Sequence, residues 1–65
     1  MAEWIRVEDE LPLRFIPVLV CRKKGRVRLV QEGYREFDGR WKVYGTKTAD
    51  VTHWMPLPEP PEVEV

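Results

Sequence analysis

Cys21 and His53 are the two side chains in this sequence best suited to nucleophilic or acid/base chemistry. A histidine can act as a general base, and with a cysteine in hydrogen-bond reach it forms a nucleophilic dyad, provided that both lie in a cleft. His53 alternates with Val51 and Met55, however, which places it on an apolar strand face where a small sheet offers little concavity. We therefore interpret His53 as structural and keep the general base or dyad as the alternative.

Three consecutive carboxylates, Glu8, Asp9 and Glu10, suggest acid/base chemistry or cation binding. Consecutive side chains point in different directions and form no convergent pair, so a solvated turn explains them better. The sequence contains neither a glycine-rich phosphate loop nor the clustered Cys and His ligands of a zinc site. We expect a non-enzymatic protein with no catalytic residue, no metal and no cofactor.

Five cations lie close together in the segment CRKKGRVR: Arg22, Lys23, Lys24, Arg26 and Arg28. A hairpin of this kind can contact nucleic-acid phosphates. Single-strand binders add aromatic rings for stacking, but no aromatic residue lies between Phe15 and Tyr34. Charged hairpins also protect β proteins from edge-to-edge aggregation, so we favour a solvated tip and hold nucleic-acid contact as the less favoured alternative.

Length and composition predict one small domain in a reducing compartment. The 65 residues leave room for one core, which three Trp, two Tyr and two Phe must largely supply. The single cysteine excludes an internal disulfide, and eleven basic residues balance eleven acidic ones, so no overall charge attracts nucleic acid or an anionic membrane. The longest apolar run, residues 15–21, contains Pro17 and is far shorter than the roughly 18 residues of a membrane span. We expect a soluble, cytosolic protein that contacts no membrane.

The apolar pattern predicts a mainly β fold. β-Branched and aromatic residues recur between Gly, Pro and Asp about every ten positions, and the 3.6-residue rhythm of an amphipathic helix is hard to find. We expect a small antiparallel meander of about three to four short strands, with an extended proline-rich C-terminal tail packed on it. Residues 1–61 form the single domain in this interpretation, and residues 62–65 form a frayed acidic end.

Two hairpins set the expected register. The segment PVLVC, residues 17–21, predicts a central strand covered on both faces. A two-residue turn at Lys24-Gly25 would pair Val20 with Leu29 and place both on one face, together with two further valines, Val18 and Val27.

The second hairpin predicts a register in which the middle strand turns the opposite set of side chains toward the core. Asp38-Gly39 suits a type I′ turn, which would place Tyr34 on the same face as Trp41 and Val43. This register disagrees with the first one, so we expect a bulge at residues 31–34, where Gly33 tolerates unusual dihedral angles.

The two ends of the chain have weaker signals. GTKTAD, residues 45–50, predicts a polar loop, and VTHWM, residues 51–55, predicts a last strand with Val51, His53 and Met55 on one face and Trp54 on the other. Pairing should end near Pro56, which has no N–H, and Leu57 should then cover an aromatic face.

The tail also has the PxxP spacing that aromatic grooves of other proteins bind, but self-packing is favoured. Near the N-terminus, VEDEL leaves space for a single helical turn before a proline.

Both ends resemble a known family. WIRVEDELP at residues 4–12 and VTHWMPLPEPP at residues 51–61, with VLV at residues 18–20, Gly33-Tyr34 and Trp41 between them, are similar to the Domain of Unknown Function 551 family of small phage and prophage proteins. LRFIP at residues 13–17 departs from the family, whose members are more often acidic or glycine-rich there. The resemblance implies a phage or prophage origin and a bacterial host cytoplasm, and it supplies no catalytic residues.

We expect a non-enzymatic protein-interaction module that binds a host or phage protein, because Trp and Tyr often dominate such contacts. The alternative is a homo-oligomer whose joined sheets enclose a nucleotide or other small anion between aromatic rings and Arg22, Arg26 or Arg28. The candidate interaction surface combines the basic hairpin with three aromatic residues: Arg22, Lys23, Lys24, Arg26, Arg28, Tyr34, Trp41 and Trp54.

Overall fold

The protein folds as one antiparallel sheet of six strands. The computed structural model describes residues 3–37 and 39–58, and all structural statements below concern these residues. The strands are β1 (Ile5–Arg6), β2 (Val18–Lys24), β3 (Val27–Arg35), β4 (Trp41–Val43), β5 (Thr46–Thr48) and β6 (Val51–Pro56). Their order across the sheet is β1-β6-β2-β3-β4-β5. The mainly β class is confirmed, and no helix within the described ranges is long and apolar enough to cross a membrane.

The strand count exceeds the prediction because the sheet has two very short edge strands. β1 has two residues and β5 has three. β5 lies inside residues 45–50, which we predicted as a polar loop, so that prediction is wrong. Two threonines flank a lysine in this strand, and pairing with β4 is what makes the polar segment extended.

Side chains divide between two faces because they alternate along each strand. We call the face that carries the apolar core the covered face: Val18, Val20, Trp41, Val43, Val51 and Trp54. Chain from the loop between β1 and β2 lies against it, since the Trp54 indole N–H donates to the Glu10 carbonyl at 2.8 Å and Pro12 is buried. Ile5 and Val7 pack against the same core.

The opposite face is called the open face, because each of its strand side chains except Cys21 is exposed or half-buried. The register assigns it the following strand residues: Arg6, Leu19, Cys21, Lys23, Arg28, Val30, Glu32, Tyr34, Lys42, Lys47, His53 and Met55. The central position predicted for PVLVC is confirmed, because β2 lies between β6 and β3, with Val18 and Val20 buried on one face and Cys21 on the other.

The first hairpin turns one residue later than predicted. Lys24 pairs with Val27, so Gly25 and Arg26 form the turn, and Val20 lies opposite Gln31 instead of Leu29. Gly25 has a φ of 58°, and glycine is the residue that takes positive φ at the first position of a type II′ turn without steric strain. The resulting shift of two residues preserves parity, so the predicted sharing of a face by the valines and Leu29 is correct.

The second hairpin differs in parity from the prediction. Arg35 pairs with Trp41 and Tyr34 pairs with Lys42, which leaves residues 36–40 as a five-residue connection, closed by the Glu36 N–H to the Arg40 carbonyl at 2.9 Å. Tyr34 therefore lies on the face opposite to Trp41, so the prediction that it shares a face with Trp41 and Val43 is wrong. Asp38 itself lies outside the described residues.

Gly33 has a packing role instead of the predicted bulge. The β2–β3 register runs without interruption from Val18↔Gly33 to Lys24↔Val27. A Cβ at Gly33 would lie 2.8 Å from the Lys42 carbonyl oxygen and 2.9 Å from Val43 Cγ2. Glycine is therefore what allows β4 to approach and Val43 to pack over β3.

The bulge of this sheet lies in β6. Cys21 pairs with His53 and Arg22 pairs with Val51, so Thr52 is the extra residue. The bulge brings Val51 to the same face as Trp54, which corrects the strict alternation that we expected, and it leaves His53 on the open face. β6 ends at Pro56, as predicted.

The segments outside the sheet partly match their predictions. Residues 7–9 form a turn in which the N–H groups of Asp9 and Glu10 both donate to the Arg6 carbonyl, at 2.9 and 3.2 Å. Leu57 lines a groove beside Trp54. The acidic end predicted to fray, and most of the proline-rich tail, lie outside the described residues.

Candidate binding surfaces

The structure places Cys21 and His53 side by side on the open face. They are cross-strand partners of β2 and β6, Cys21 is buried, and His53 is half-buried. The Thr52 hydroxyl lies 3.3 Å from the Cys21 carbonyl, to which it can donate, and its Oγ1 is hydrogen-bonded to His53 Nδ1 at 2.9 Å. The imidazole thus has a structural partner at the bulge, which supports the structural interpretation of His53.

The acidic residues 8–10 do not converge. Glu8 forms an exposed ion pair with Arg6 at 2.9 Å, and the Glu10 carbonyl is bonded to Trp54. Within the described parts of the chain, no group of three or more His, Cys, Asp or Glu side chains could hold a metal ion.

Arg22 is a buried structural cation. Its Nε donates to Asp50 Oδ1 at 2.7 Å and its Nη2 to Asp50 Oδ2 at 3.2 Å, and it also donates to Gln31 and Thr48. The hydrogen bond from Arg22 holds the pKa of the Asp50 carboxyl below its ordinary value, although partial burial opposes this shift. Because its donors already face protein acceptors and its side chain is buried, Arg22 cannot hold a phosphate or enclose a small anion as the sequence suggested.

Strand alternation distributes the remaining hairpin cations. Lys23 and Arg28 lie directly opposite each other on the open face, Lys24 pairs with Val27 on the other face, and Arg26 lies in the turn. The five cations of the sequence motif therefore do not form one patch.

The candidate aromatic residues have different environments. Trp41 and Trp54 are 3% and 6% exposed, because both rings form the core of the covered face, so neither offers a surface to a partner. Tyr34 is half-buried at the end of β3, with its ring 5.9 Å from that of Phe15. Of the eight predicted surface residues, five are accessible: Lys23, Lys24, Arg26, Arg28 and Tyr34.

An exposed apolar surface lies on and beside the long loop before β2, and the sequence analysis missed it. We call it the apolar loop surface, formed by the following side chains, each between 38% and 78% exposed: Leu11, Leu13, Phe15, Ile16, Phe37 and Leu57. Leu13, Ile16 and Leu57 line a groove of about 340 Å³ whose floor includes Trp54. A sequence signal for this surface exists in LRFIP at residues 13–17, because this segment is apolar where it departs from the family pattern.

A strained backbone conformation at Phe15 orients two of the rings of this surface. Phe15 is a non-glycine residue with a φ of 63°, held there by its N–H bond to the Arg35 carbonyl at 2.9 Å. The conformation places the Phe15 ring edge-on to Phe37, with 4.8 Å between centroids, and the Arg14 guanidinium lies 5.2 Å from the Phe37 ring centroid. Left-handed backbone costs a non-glycine residue roughly 1 kcal/mol or more, and here it presents two rings that remain largely exposed.

A second missed feature is Trp4. This residue is 40% exposed, and it lines a groove of about 330 Å³ on the open face together with Cys21, Arg28, Val30 and His53. No sequence pattern defines a register for β1, so the position of Trp4 beside Arg28 could not be predicted.

The family resemblance noted in the sequence is confirmed by a direct family match. The family described as Protein of unknown function (DUF551) matches residues 3–62, which is nearly the whole chain. The chain belongs to this family. It has no match among curated proteins or among solved structures. The matched range includes VTHWMPLPEPP at residues 51–61, one of the segments that carried the resemblance. The family description assigns no function, so function is inferred from the surfaces of the molecule.

Proposed function

We propose that this protein is a non-enzymatic interaction module, of phage or prophage origin, that binds a host or phage protein in the bacterial cytoplasm through the apolar loop surface. The observation that carries the proposal is an apolar groove lined by three exposed side chains, Leu13, Ile16 and Leu57, with the exposed Phe15 ring on the same loop in contact with Phe37. Exposed apolar surface of this kind on a small protein marks an interaction site.

The groove favours a protein partner over a polar metabolite. Its lining consists of apolar residues, including three prolines, Pro12, Pro17 and Pro56. A site for a nucleotide or similar anion needs placed donors and charges that fix the ligand's orientation, and this groove does not offer them. Leucine, isoleucine and aromatic side chains of a partner can fill it by shape alone.

Edge-strand pairing is the less suitable route to a partner. The two edges of the sheet, β1 and β5, present two and three residues, and β5 carries Lys47. Short, charged edges protect a sheet from adding further strands. The apolar loop surface is therefore the part of the molecule that best explains specific protein binding.

Site-specific cross-linking in the natural bacterial host tests this proposal. A photoreactive amino acid is introduced at Leu13, 78% exposed within the surface, and for comparison at Tyr44, 74% exposed in the β4–β5 turn. We expect one defined protein to be cross-linked from position 13 and not from position 44.

Matched substitutions then measure the contribution of the surface. With the captured protein purified, Ile16→Ser should weaken binding at least about tenfold, as expected for a side chain central to an interface, while Tyr44→Ser leaves it unchanged. Both variants should keep the wild-type melting temperature. Capture of a second copy of this chain, or an affinity that does not respond to Ile16→Ser, would contradict the proposal.

A further inference from the structure

We propose that the open face is a second and independent binding site, and that its ligand is single-stranded nucleic acid. The proposal uses residues of the open face, whereas the apolar loop groove lies on the covered face; the two surfaces meet where the Tyr34 ring lies 5.9 Å from that of Phe15. The tests below use Trp4 and Arg28, which do not belong to the apolar loop surface, so they do not depend on the protein partner discussed above.

The charges of the open face are arranged at a cost to the fold. Lys23 and Arg28 lie directly opposite each other across β2 and β3. Like charges at directly opposed positions destabilise a pair of strands. A bound polyanion turns this repulsion into attraction, whereas an unliganded structural surface gains nothing from it.

Few carboxylates on the face compensate these cations. The register places one acidic strand residue there, Glu32, and the Arg6 guanidinium is bonded to Glu8 at the edge. The overall neutrality of the sequence therefore conceals a face where positive charge predominates. Phosphate groups are the ligands that such a face attracts.

Aromatic rings accompany the cations at both ends of the face. Trp4 and the His53 imidazole line the groove that also contains Arg28 and Val30. Tyr34 pairs with Lys42 at the other end, and both line a depression together with Tyr44 and the acidic residue Glu32. Val30 and Tyr34 are four residues apart on β3, which corresponds to about 14 Å. A strand of nucleotides is long enough to reach both groups of rings.

This combination favours single strands over the alternatives. In single-stranded nucleic acid the base faces are free to stack on rings while phosphates contact Lys and Arg. In a duplex the bases are already stacked, so only the cations of this face would contribute. An acidic peptide would likewise use the cations without the rings. On the sequence alone nucleic-acid contact is the less favoured alternative, in part because the hairpin lacks aromatic residues, but the fold supplies rings from Trp4 just before β1, from β3 and from β6.

Fluorescence titration with short oligonucleotides tests the proposal. Labelled strands of about 12 nucleotides, one of DNA and one of RNA with mixed sequence, are titrated with the full chain at about 20 mM salt. Trp4 is exposed whereas Trp41 and Trp54 are buried, so stacking should quench the exposed part of the tryptophan emission. We expect saturable binding of at least one strand, quenching of Trp4, and affinity that decreases as salt increases.

Two pairs of variants separate stacking from charge. Trp4→Ala should weaken binding about tenfold, and Trp4→Phe should restore most of the affinity because phenylalanine also stacks. Arg28→Ala should weaken binding and reduce the slope of log affinity against log salt by about 0.7 for one lost phosphate contact. Arg14→Ala, an exposed arginine on the apolar loop surface, is the matched control and should change neither quantity.

Three results would overturn the proposal. The first is undetectable binding of both strands at about 20 mM salt. The second is equal affinity for duplex and single strand with no response to Trp4→Ala, which would indicate charge attraction alone. The third is tighter binding of polyglutamate than of either oligonucleotide, which would assign the face to an acidic protein. Circular dichroism of each variant confirms folding, and none of these results bears on cross-linking from position 13.

Discussion

The two faces of this sheet differ in how their charged side chains are paired. On the covered face the buried Arg22 has carboxylate, amide and hydroxyl acceptors, and the buried Trp54 indole has a carbonyl. On the open face Lys23 lies opposite another cation, Arg28. The covered face thus satisfies its polar groups in a way that stabilises the fold. The open face retains the unfavourable Lys23–Arg28 pair, and surfaces that sacrifice stability in this way are where binding is expected.

The largest expected effect comes from removing one tryptophan from each face. Trp54→Ala should reduce the free energy of unfolding by about 3–5 kcal/mol, because it leaves a cavity in the core and removes the donor to Glu10. A small domain has little more stability than this, so the variant should be largely unfolded. Trp4→Ala should cost about 1 kcal/mol. Urea denaturation followed by circular dichroism measures both.

Similar losses from Trp4→Ala and Trp54→Ala would contradict the assignment of the faces. Trp54→Phe is an informative intermediate, because it keeps a six-membered ring in the core while removing the indole N–H and the rest of the five-membered ring. Its loss should fall between those of the two alanine variants.

A second test compares the two ion pairs by pH. In the folded protein the pKa of Asp50 is below its ordinary value because Arg22 donates to the carboxylate. A carboxyl group with a lowered folded-state pKa contributes stability that is fully present above its unfolded pKa, near 4, and that is lost as pH falls through the folded-state pKa. Wild-type stability should therefore decrease below about pH 4. Asp50→Asn should lower stability at pH 7 by about 1–3 kcal/mol and should reduce this acid-dependent part.

The exposed pair provides the control. Arg6 and Glu8 are joined at 2.9 Å, but their side chains are 56% and 72% exposed. Solvent screens such pairs and side-chain entropy opposes them, so Glu8→Gln should leave both the melting temperature and its pH profile unchanged. If Glu8→Gln altered the acid profile as much as Asp50→Asn, the buried network would not be the source of the pH dependence.

Local signals in the sequence predicted the elements better than their register. β2 and the end of β6 at Pro56 follow from the apolar run and from a missing N–H, which are properties of a few adjacent residues. The parity of Tyr34 depends instead on the length of a connection, and the Asp38-Gly39 dipeptide suggested two residues where the chain uses five. The tight turn with two positive φ values occurs at Tyr44-Gly45, where only the glycine is a signal.

The binding surfaces were less predictable because they depend on pairings between distant residues. Arg22 and Asp50 are 28 positions apart, and the sequence gives no reason to remove one arginine of five from a candidate surface. The bulge at Thr52 decides which face Val51 and Trp54 occupy. Trp4 comes beside Arg28 only because β1 joins the sheet through β6. The sequence contains all of these residue types, but the order of the strands in the sheet decides which of the side chains come into contact.

The smallest expected effect gives the sharpest comparison, because stability and binding should change in opposite directions. Lys23→Glu replaces a like-charge pair with an opposite-charge pair opposite Arg28, and it should stabilise the fold by about 0.2–1 kcal/mol. Lys23→Gln, which removes the repulsion without adding an attraction, should give part of this gain. The gain should decrease as salt screens the pair.

The same substitution should weaken oligonucleotide binding, since it adds a negative charge to the face that contacts phosphates. A charge kept on the open face for the sake of the fold would give the reverse result, with Lys23→Glu lowering the melting temperature at low salt. A charge with no role would leave oligonucleotide affinity unchanged. Measuring the melting temperature and the affinity of the three proteins in one buffer therefore shows whether the open face sacrifices stability for binding.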